Sequence, residues 1–300
     1  MVSGKVENHL QIMKQLILTP LNLGSVKKGT EQAPDIISSL FKDLVSNKIR
    51  DGIIKIKTPS IAGFDSIVWK DSMMFPEQII DVCKKLNEAC YNTVSINDMP
   101  IIIGGDHAVS WGSISGMLRS YNDLSVVYID AHGDCNIAES SPTGHIHGMH
   151  MSYLMNLGNP VYKDALGQEK IAKNDILYLG TRDLDPFEQD LLKNGNVCSS
   201  KDINESLDGV INKTNTFLKN RKHIHISLDI DVLDPKLCPG TGVPVPDGIS
   251  LEKLNALLET VFINSNVVSM DLVEYNPLLD KDNKSLNCIK DILTHISKYI

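Results

Sequence analysis

Hydrophobic positions along this chain keep two rhythms. Short apolar runs rich in β-branched residues at 14–19, 53–57, 100–104, 124–130, 175–180, 223–229 and 266–273 predict strands. Between them, apolar residues three and four apart predict helices near 34–47, 76–96, 109–119, 147–157, 186–194, 204–219, 250–263 and 283–299. Start signals agree with several of these: Pro34 and Pro76 sit in first turns, Asp185 precedes Pro186, and Ser250 stands as N-cap before Leu251. Strands alternating with helices build βαβ units, so the expected fold class is α/β, a three-layer αβα arrangement around a mostly parallel central sheet. The chain has no internal repeat, low-complexity tract or linker-like shift in composition, and residues 1–300 are expected to form a single domain.

Composition narrows the partners more than the fold. A hydrophobic content of 42% suits a large core, and a formal charge of −8 argues against nucleic acid or an anionic membrane as a partner. A small-molecule substrate is expected instead. The apolar stretch 10–18 is broken by Gln11, Lys14 and Gln15 and is followed by no small-residue cleavage pattern. It reads as neither signal peptide nor membrane span, and the expected location is cytoplasmic. The six cysteines (83, 90, 135, 198, 238 and 288) lack Cys-x-x-Cys spacing and are expected to be free thiols.

Chemistry concentrates where the apolar runs stop. Asp130, His132 and Asp134 occupy alternate positions after Val-Val-Tyr-Ile, Asp229 and Asp231 follow His-Ile-Ser-Leu, and His107 closes Ile-Ile-Ile-Gly-Gly-Asp-His. Asp and Gly also follow strands simply because they turn well, so Asp229-Ile230-Asp231 alone reads equally as a turn. Taken together, four carboxylates and two imidazoles at three strand ends cannot share a dry cleft uncompensated, because like charges at short range repel and their pKa values climb. Two divalent cations would resolve the conflict. The position agrees, since open α/β sheets hold ligands beyond the carboxyl ends of their strands.

Four blocks in order, Gly-Gly-Asp-His (104–107), Asp-Ala-His-Gly-Asp (130–134), Ser-Leu-Asp-Ile-Asp-Val-Leu-Asp-Pro (227–235) and Met-Asp-Leu-Val-Glu-Tyr-Asn-Pro (270–277), resemble the ureohydrolase (arginase and agmatinase) family of dinuclear manganese enzymes. Lys-Gly-Thr-Glu-Gln-Ala-Pro (28–34) resembles its N-terminal turn, so the likeness spans essentially the whole chain. It implies two Mn²⁺ per subunit, with His107 and Asp134 on one ion, His132 and Asp231 on the other, and Asp130 and Asp229 bridging both. The implied reaction is attack of a shared hydroxide on a guanidinium carbon, with Asp134 relaying the proton to the departing nitrogen. In the same way Glu274 matches the family's guanidinium-binding glutamate, Thr241 a threonine beside it, and His147 a proton-shuttling histidine. Taken alone, Glu274 also reads as a surface glutamate and Thr241 as a turn hydroxyl.

The far end of the substrate decides which guanidine is cut. By resemblance, Asn136 and Thr143 contact an α-carboxylate, and Asp185 and Glu188, in Arg-Asp-Leu-Asp-Pro-Phe-Glu (182–188), contact an α-ammonium. Asp185 and Glu188 also read as an ordinary acidic helix start, and the two readings are compatible. The implied substrate is L-arginine, giving L-ornithine and urea; agmatine or another guanidino acid is the alternative, and a silent metal-binding relative is disfavoured by the complete ligand set. The resemblance also implies a homo-oligomer, trimer or hexamer. His9, His145, His150, His223, His225 and His295 are expected to be structural or surface residues.

Overall fold

The computed structural model describes residues 12–25, 27–45, 48–59 and 68–300. His9 and the ends of two expected segments, 10–11 and 46–47, therefore lie outside the described residues. The strands are β1 (Lys14–Thr19), β2 (Ile54–Lys55), β3 (Trp69–Lys70), β4 (Met73–Met74), β5 (Met99–Gly104), β6 (Leu124–Ile129), β7 (Ile176–Leu179), β8 (Asn196–Cys198), β9 (His223–Asp229) and β10 (Val267–Val273). The helices are α1 (Ala33–Val45), α2 (Pro76–Ser95), α3 (Val109–Ser120), α4 (His150–Leu154), α5 (Pro160–Lys163), α6 (Pro186–Leu192), α7 (Ser200–Glu205), α8 (Leu207–Leu218), α9 (Leu251–Asn264) and α10 (Lys284–Ile296).

Among the described residues, eight strands form one sheet in the order β2-β1-β5-β10-β9-β6-β7-β8, every neighbouring pair parallel. Alternation along each strand sorts side chains between two helical layers. Leu16, Ile101, Ile103, Val127, Ile129, Ile226 and Leu228 pack on the face covered by α1, α8, α9 and α10. Ile17, Ile102, Val126, Tyr128 and Tyr178 pack on the other, under α2 and α3. This is the expected αβα arrangement. Each fully buried aliphatic side chain contributes roughly 1.5–3 kcal/mol relative to exposure, so the sheet is held mainly by its two faces. α3 can lie close to α2 because Gly112 and Gly116 face it: a Cβ at Gly112 would stand 2.7 Å from the carbonyl oxygen of Cys83.

Register explains why the functional residues converge. Ile103, Leu272, Leu228, Ile129 and Leu179 form one row across five adjacent strands. One residue further on, β9 and β6 deliver Asp229 and Asp130, and one beyond that β10 delivers Glu274.

Several elements differ from their sequence expectation. The segment 204–219 is two helices, because Ser206 leaves helical geometry (φ −153°) and its hydroxyl accepts the Gly209 N–H at 3.2 Å as an N-cap. In place of a helix over 147–157 there is a 3₁₀ turn, Ile146–Gly148, then α4, separated at Met149 (φ −133°). β8, three residues at the sheet edge, is too short for alternation to register, and the β3–β4 hairpin turns on Asp71 and Ser72, both at positive φ.

Candidate metal centre

The Gly104-Gly105 exit from β5 sets the first ligand. A Cβ at Gly105 would lie 1.8 Å from the Leu21 carbonyl oxygen, so only glycine lets the two backbones meet. Asp106 then pins the turn, its carboxylate accepting the N–H groups of Gly24 (2.9 Å) and Ala108 (3.0 Å). Burial and the Glu274 charge push the Asp106 pKa up to about 7. His107 emerges with Nδ1 2.9 Å from Asp130 Oδ2, 3.1 Å from Asp134 Oδ2 and 3.3 Å from Asp229 Oδ2. His132 Nδ1 stands 3.0 Å from Asp231 Oδ2 and 3.3 Å from Asp130 Oδ1.

All six expected ligands are thus brought together, in three overlapping sets among the described residues. His107, Asp130 and Asp229 make one, Asp130, His132 and Asp231 another, and Asp134 joins through a third with His107 and His150, a histidine expected to be structural or surface. Asp130 belongs to the first two through different oxygens. Asp229 groups with His107, while its Oδ1 accepts the Asp231 N–H at 2.8 Å and so orders the neighbouring ligand. A divalent cation fits this donor set on two grounds. Asp130 Oδ2 is buried and accepts no well-aligned hydrogen bond among the described residues, its near neighbour being the ring nitrogen of another expected ligand, His107 Nδ1 at 2.9 Å. Burial, Asp231 and Asp130 together push the Asp229 carboxyl well above its ordinary range, a conflict that a bound cation removes. Mixed carboxylate and imidazole ligation is open to several divalent first-row ions.

Two further residues carry backbone evidence. Asp134 (φ 48°) and Glu274 (φ 65°) both adopt the left-handed conformation, which side chains longer than Asn or Asp rarely occupy. The Glu274 N–H donates to the Gly105 carbonyl at 2.8 Å, and its Oε1 accepts the His107 N–H at 2.8 Å and meets His147 Nδ1 at 3.1 Å. Burial opposes the charged form of His147, but the hydrogen bond and charge of Glu274, with Asp134 and Asp106, raise its pKa above the ordinary value.

These groups open into a cavity of about 260 Å³ lined by His132, Asp134, Asn136, Thr143, His147, Asp185, Glu188, Asp229, Asp231 and Glu274 among others. Asn136 Nδ2 donates to Asp185 Oδ2 at 2.8 Å, tying the two expected ends of an amino-acid pocket together. Glu188 is more enclosed: its two oxygens accept the Cys135 and Asp185 N–H groups at 2.9 and 3.0 Å. Thr143 lies exposed at the mouth, and its Oγ1 accepts the His145 N–H at 3.4 Å. Thr241 is not among the lining residues; its hydroxyl is buried without a hydrogen-bond partner among the described residues.

Sequence reading missed the support beneath the ligands. Tyr128 stacks on His107 at 4.9 Å between ring centroids and donates its hydroxyl to Asp134 Oδ2 at 2.6 Å. His150, expected to be structural, joins this layer, with Nδ1 2.8 Å from the His147 carbonyl and Nε2 3.3 Å from the Tyr128 hydroxyl. On the α3 face of β9 and β10, polar residues replace apolar ones. His107 Nε2 meets Ser227 Oγ at 2.9 Å, Ser227 meets Ser110 at 3.2 Å, and Ser110 and Ser113 each donate to Asp271 Oδ2 at 2.7 Å. His225 closes the network, 3.1 Å from Asp271 and 2.7 Å from Ser269.

Burial would push the Asp271 carboxyl up, but His225 and the serine hydroxyls outweigh it and hold it below the ordinary range. Asp271→Asn is expected to cost about 3–5 kcal/mol, because it leaves a fully buried partner uncompensated. The folded pKa is depressed, so this stabilisation is complete at neutral pH and fades on acidification below about pH 4. Urea melts of both proteins at pH 7 and at about pH 2–3 check this, the difference expected to narrow at the lower pH; equal midpoints at pH 7 would make the pair energetically neutral.

Comparison with known proteins gives a consistent result. The Arginase family model matches residues 15–297. An arginase of Staphylococcus aureus (strain MRSA252) is 36% identical over 278 residues, covering 89% of this chain and 91% of that protein. The crystal structure of Entamoeba histolytica arginase in complex with L-ornithine superposes with a TM-score of 0.86 at 29% identity, over 96% of this chain and 99% of that one. The native arginase structure from Bacillus caldovelox gives a TM-score of 0.89 at 26% identity, over 95% and 98% of the two chains.

Proposed function

The chain belongs to the arginase family and is a hydrolase, and on that premise we propose that it converts L-arginine to L-ornithine and urea at a two-manganese centre. In this reading His107, Asp130, Asp134 and Asp229 hold one ion, His132 and Asp231 the other, with Asp130 and Asp229 shared. When bound, such an ion pair supplies a water acidified to near neutral pH as the nucleophile.

The remaining steps belong to the chain's own residues. Glu274 offers a carboxylate for planar pairing with the guanidinium nitrogens, and its hydrogen bond from the His107 N–H fixes its direction relative to the ligands. Asp134, oriented by the Tyr128 hydroxyl on its Oδ2 at 2.6 Å, would take up a proton during the attack and pass it to the leaving amine. His147, partly exposed and hydrogen-bonded to Glu274, carries protons between cavity and solvent. Asn136 and Thr143 meet the α-carboxylate, Asp185 and Glu188 the α-ammonium, in part through water, and Thr241 supports the guanidinium end.

The observation that carries this reading is the convergence of the six expected ligands, four of which (His132, Asp134, Asp229 and Asp231) line a cavity whose wall joins Asn136 to Asp185. The test is urea release by the manganese-loaded protein with L-arginine and agmatine side by side, amine products being identified by mass spectrometry. Ornithine from arginine with little putrescine from agmatine is expected; putrescine as the main product would overturn the amino-acid pocket. Within that pocket, Asp185→Ala is expected to lower kcat/KM for L-arginine about tenfold or more, the value of one charge-assisted contact of about 1.5–3 kcal/mol, with little loss on agmatine. Equal losses on both would remove Asp185 from the amine contact.

We also propose, from family membership and composition, a homo-oligomer (trimer or hexamer) in the cytoplasm. Among the described residues no helix is long and apolar enough to cross a membrane.

A further inference from the structure

The loop 140–145 carries Thr143 at the cavity mouth, and its two ends are held by different parts of the fold. On the near side Asn136 is fixed by its own surroundings: its Oδ1 accepts the Ser140 hydroxyl at 2.8 Å, and its Nδ2 donates to Asp185. The far side rests on the β3–β4 hairpin. Gly144, the residue after Thr143, stands at φ 72°, and its carbonyl accepts the Met74 N–H at 2.9 Å. A Cβ added there would lie 2.5 Å from Cζ3 of the Trp69 ring and 2.9 Å from the Ser72 carbonyl oxygen, so hairpin and loop meet at a position that lacks a side chain.

The hairpin is itself tied down away from the loop. Asp71 at its turn accepts the Tyr162 hydroxyl at 2.8 Å, the Tyr153 hydroxyl of α4 meets Met73 Sδ at 2.9 Å, and Met73, Met74 and Phe75 are buried. Trp69 is 56% exposed while an edge of its ring reaches Gly144. Truncating it therefore opens no core, and its contact with the loop can be separated from stability.

The geometry points to Trp69 as a positioning residue for substrate specificity: by bracing Gly144 it holds Thr143 in place for the α-carboxylate, so the hairpin favours substrates that carry that carboxylate over those that lack it. The inference rests on the arginine reading, in which Thr143 meets the carboxylate. Trp69 is not among the cavity-lining residues, and its effect passes through one peptide unit. Without the ring, Gly144 has a wide choice of backbone conformation, and substrate binding must supply the cost of ordering Thr143. The change stops short of the guanidinium end, because His147 is held by Glu274 at 3.1 Å and the Gly148 carbonyl accepts the Asn136 N–H at 3.1 Å.

The experiment compares steady-state kinetics of the manganese-loaded full chain on L-arginine and on agmatine, which has no α-carboxylate, for the wild type, Trp69→Ala, Gly144→Ala and the double variant. Trp69→Ala is expected to raise KM for L-arginine about tenfold, the order of one weakened hydrogen bond to a charged group, with kcat within about twofold. Its kcat/KM for agmatine should stay unchanged. Gly144→Ala should raise KM by a larger factor in the presence of the ring than in its absence, since the added methyl meets Trp69 only in the first case. Equal losses on both substrates would make Trp69 a general support of the fold, and a double variant whose penalty is the product of the two singles would deny the contact; either result overturns the proposal.

A second readout needs no turnover. The chain has two tryptophans, and Trp111 is buried in α3, so Trp111→Phe leaves Trp69 as the sole reporter. L-ornithine should change its emission and putrescine should not. An emission untouched by L-ornithine at concentrations that inhibit urea release would overturn the coupling. If the wild type makes no ornithine from L-arginine, the arginine reading fails before any variant is compared, whereas unaltered kinetics in the variants of an active arginine hydrolase sink this proposal alone.

Discussion

Asp229→Ala is expected to leave the purified protein with less than its full metal content and to reduce urea release by about 1000-fold or more, equivalent to about 4 kcal/mol of lost transition-state stabilisation. Two connections make this position costly. Its Oδ2 lies 3.3 Å from His107 Nδ1 within the first ligand set, and its Oδ1 orients the backbone of Asp231 in the second. Removing it deletes one donor and releases another. The apo fold should not suffer equally, because the metal-free carboxylate is held among like charges, with Asp231 and Asp130 pushing its pKa up. Metal analysis after dialysis, paired with thermal melts of metal-free protein, separates the two effects. A variant that still holds two ions tightly would break the ligand assignment.

Glu274→Gln should produce the opposite signature, full metal content with turnover reduced by about 100-fold or more, since a charge-assisted bidentate contact becomes a neutral one. The glutamine oxygen can still accept the His107 N–H, which preserves the loop, while the charge facing the guanidinium is gone. The substitution also removes the group that raises the His147 pKa, so any limb of the pH profile due to His147 should move toward lower pH. Steady-state kinetics across pH, with metal content measured on the same samples, reads both effects. Near-normal turnover would remove Glu274 from the guanidinium contact.

What could be read before the structure depended on how each residue's role projects onto the chain. Strand cores announced themselves as apolar runs, and the ligands stood out because ionisable residues at alternate positions end those runs at 130–134 and 229–231. The supporting layer was hidden for the converse reason. In His-Ile-His-Ile-Ser-Leu-Asp (223–229) the polar residues of the alternation carried no sign of a shared network, and only the structure shows His225 and Ser227 buried under α3, opposite Ser110 and Ser113. Tyr128 was equally hidden, since an aromatic residue inside an apolar run reads as packing, and its hydroxyl becomes informative only once Asp134 is seen 2.6 Å away. The break at Ser206 and the short α4 were set by single non-helical residues that a window of periodicity averages over.

The left-handed backbone at Glu274 has a consequence for how this chain can change over time. A glycine there would relax a conformation that costs a non-glycine residue of order 1–3 kcal/mol, and it would also delete the carboxylate facing the cavity. Under the proposed function, heat resistance and catalysis therefore pull on position 274 in opposite directions. The same carboxylate accepts the His107 N–H at 2.8 Å, so a glycine would relieve the backbone only by giving up a contact that holds the β5 exit turn.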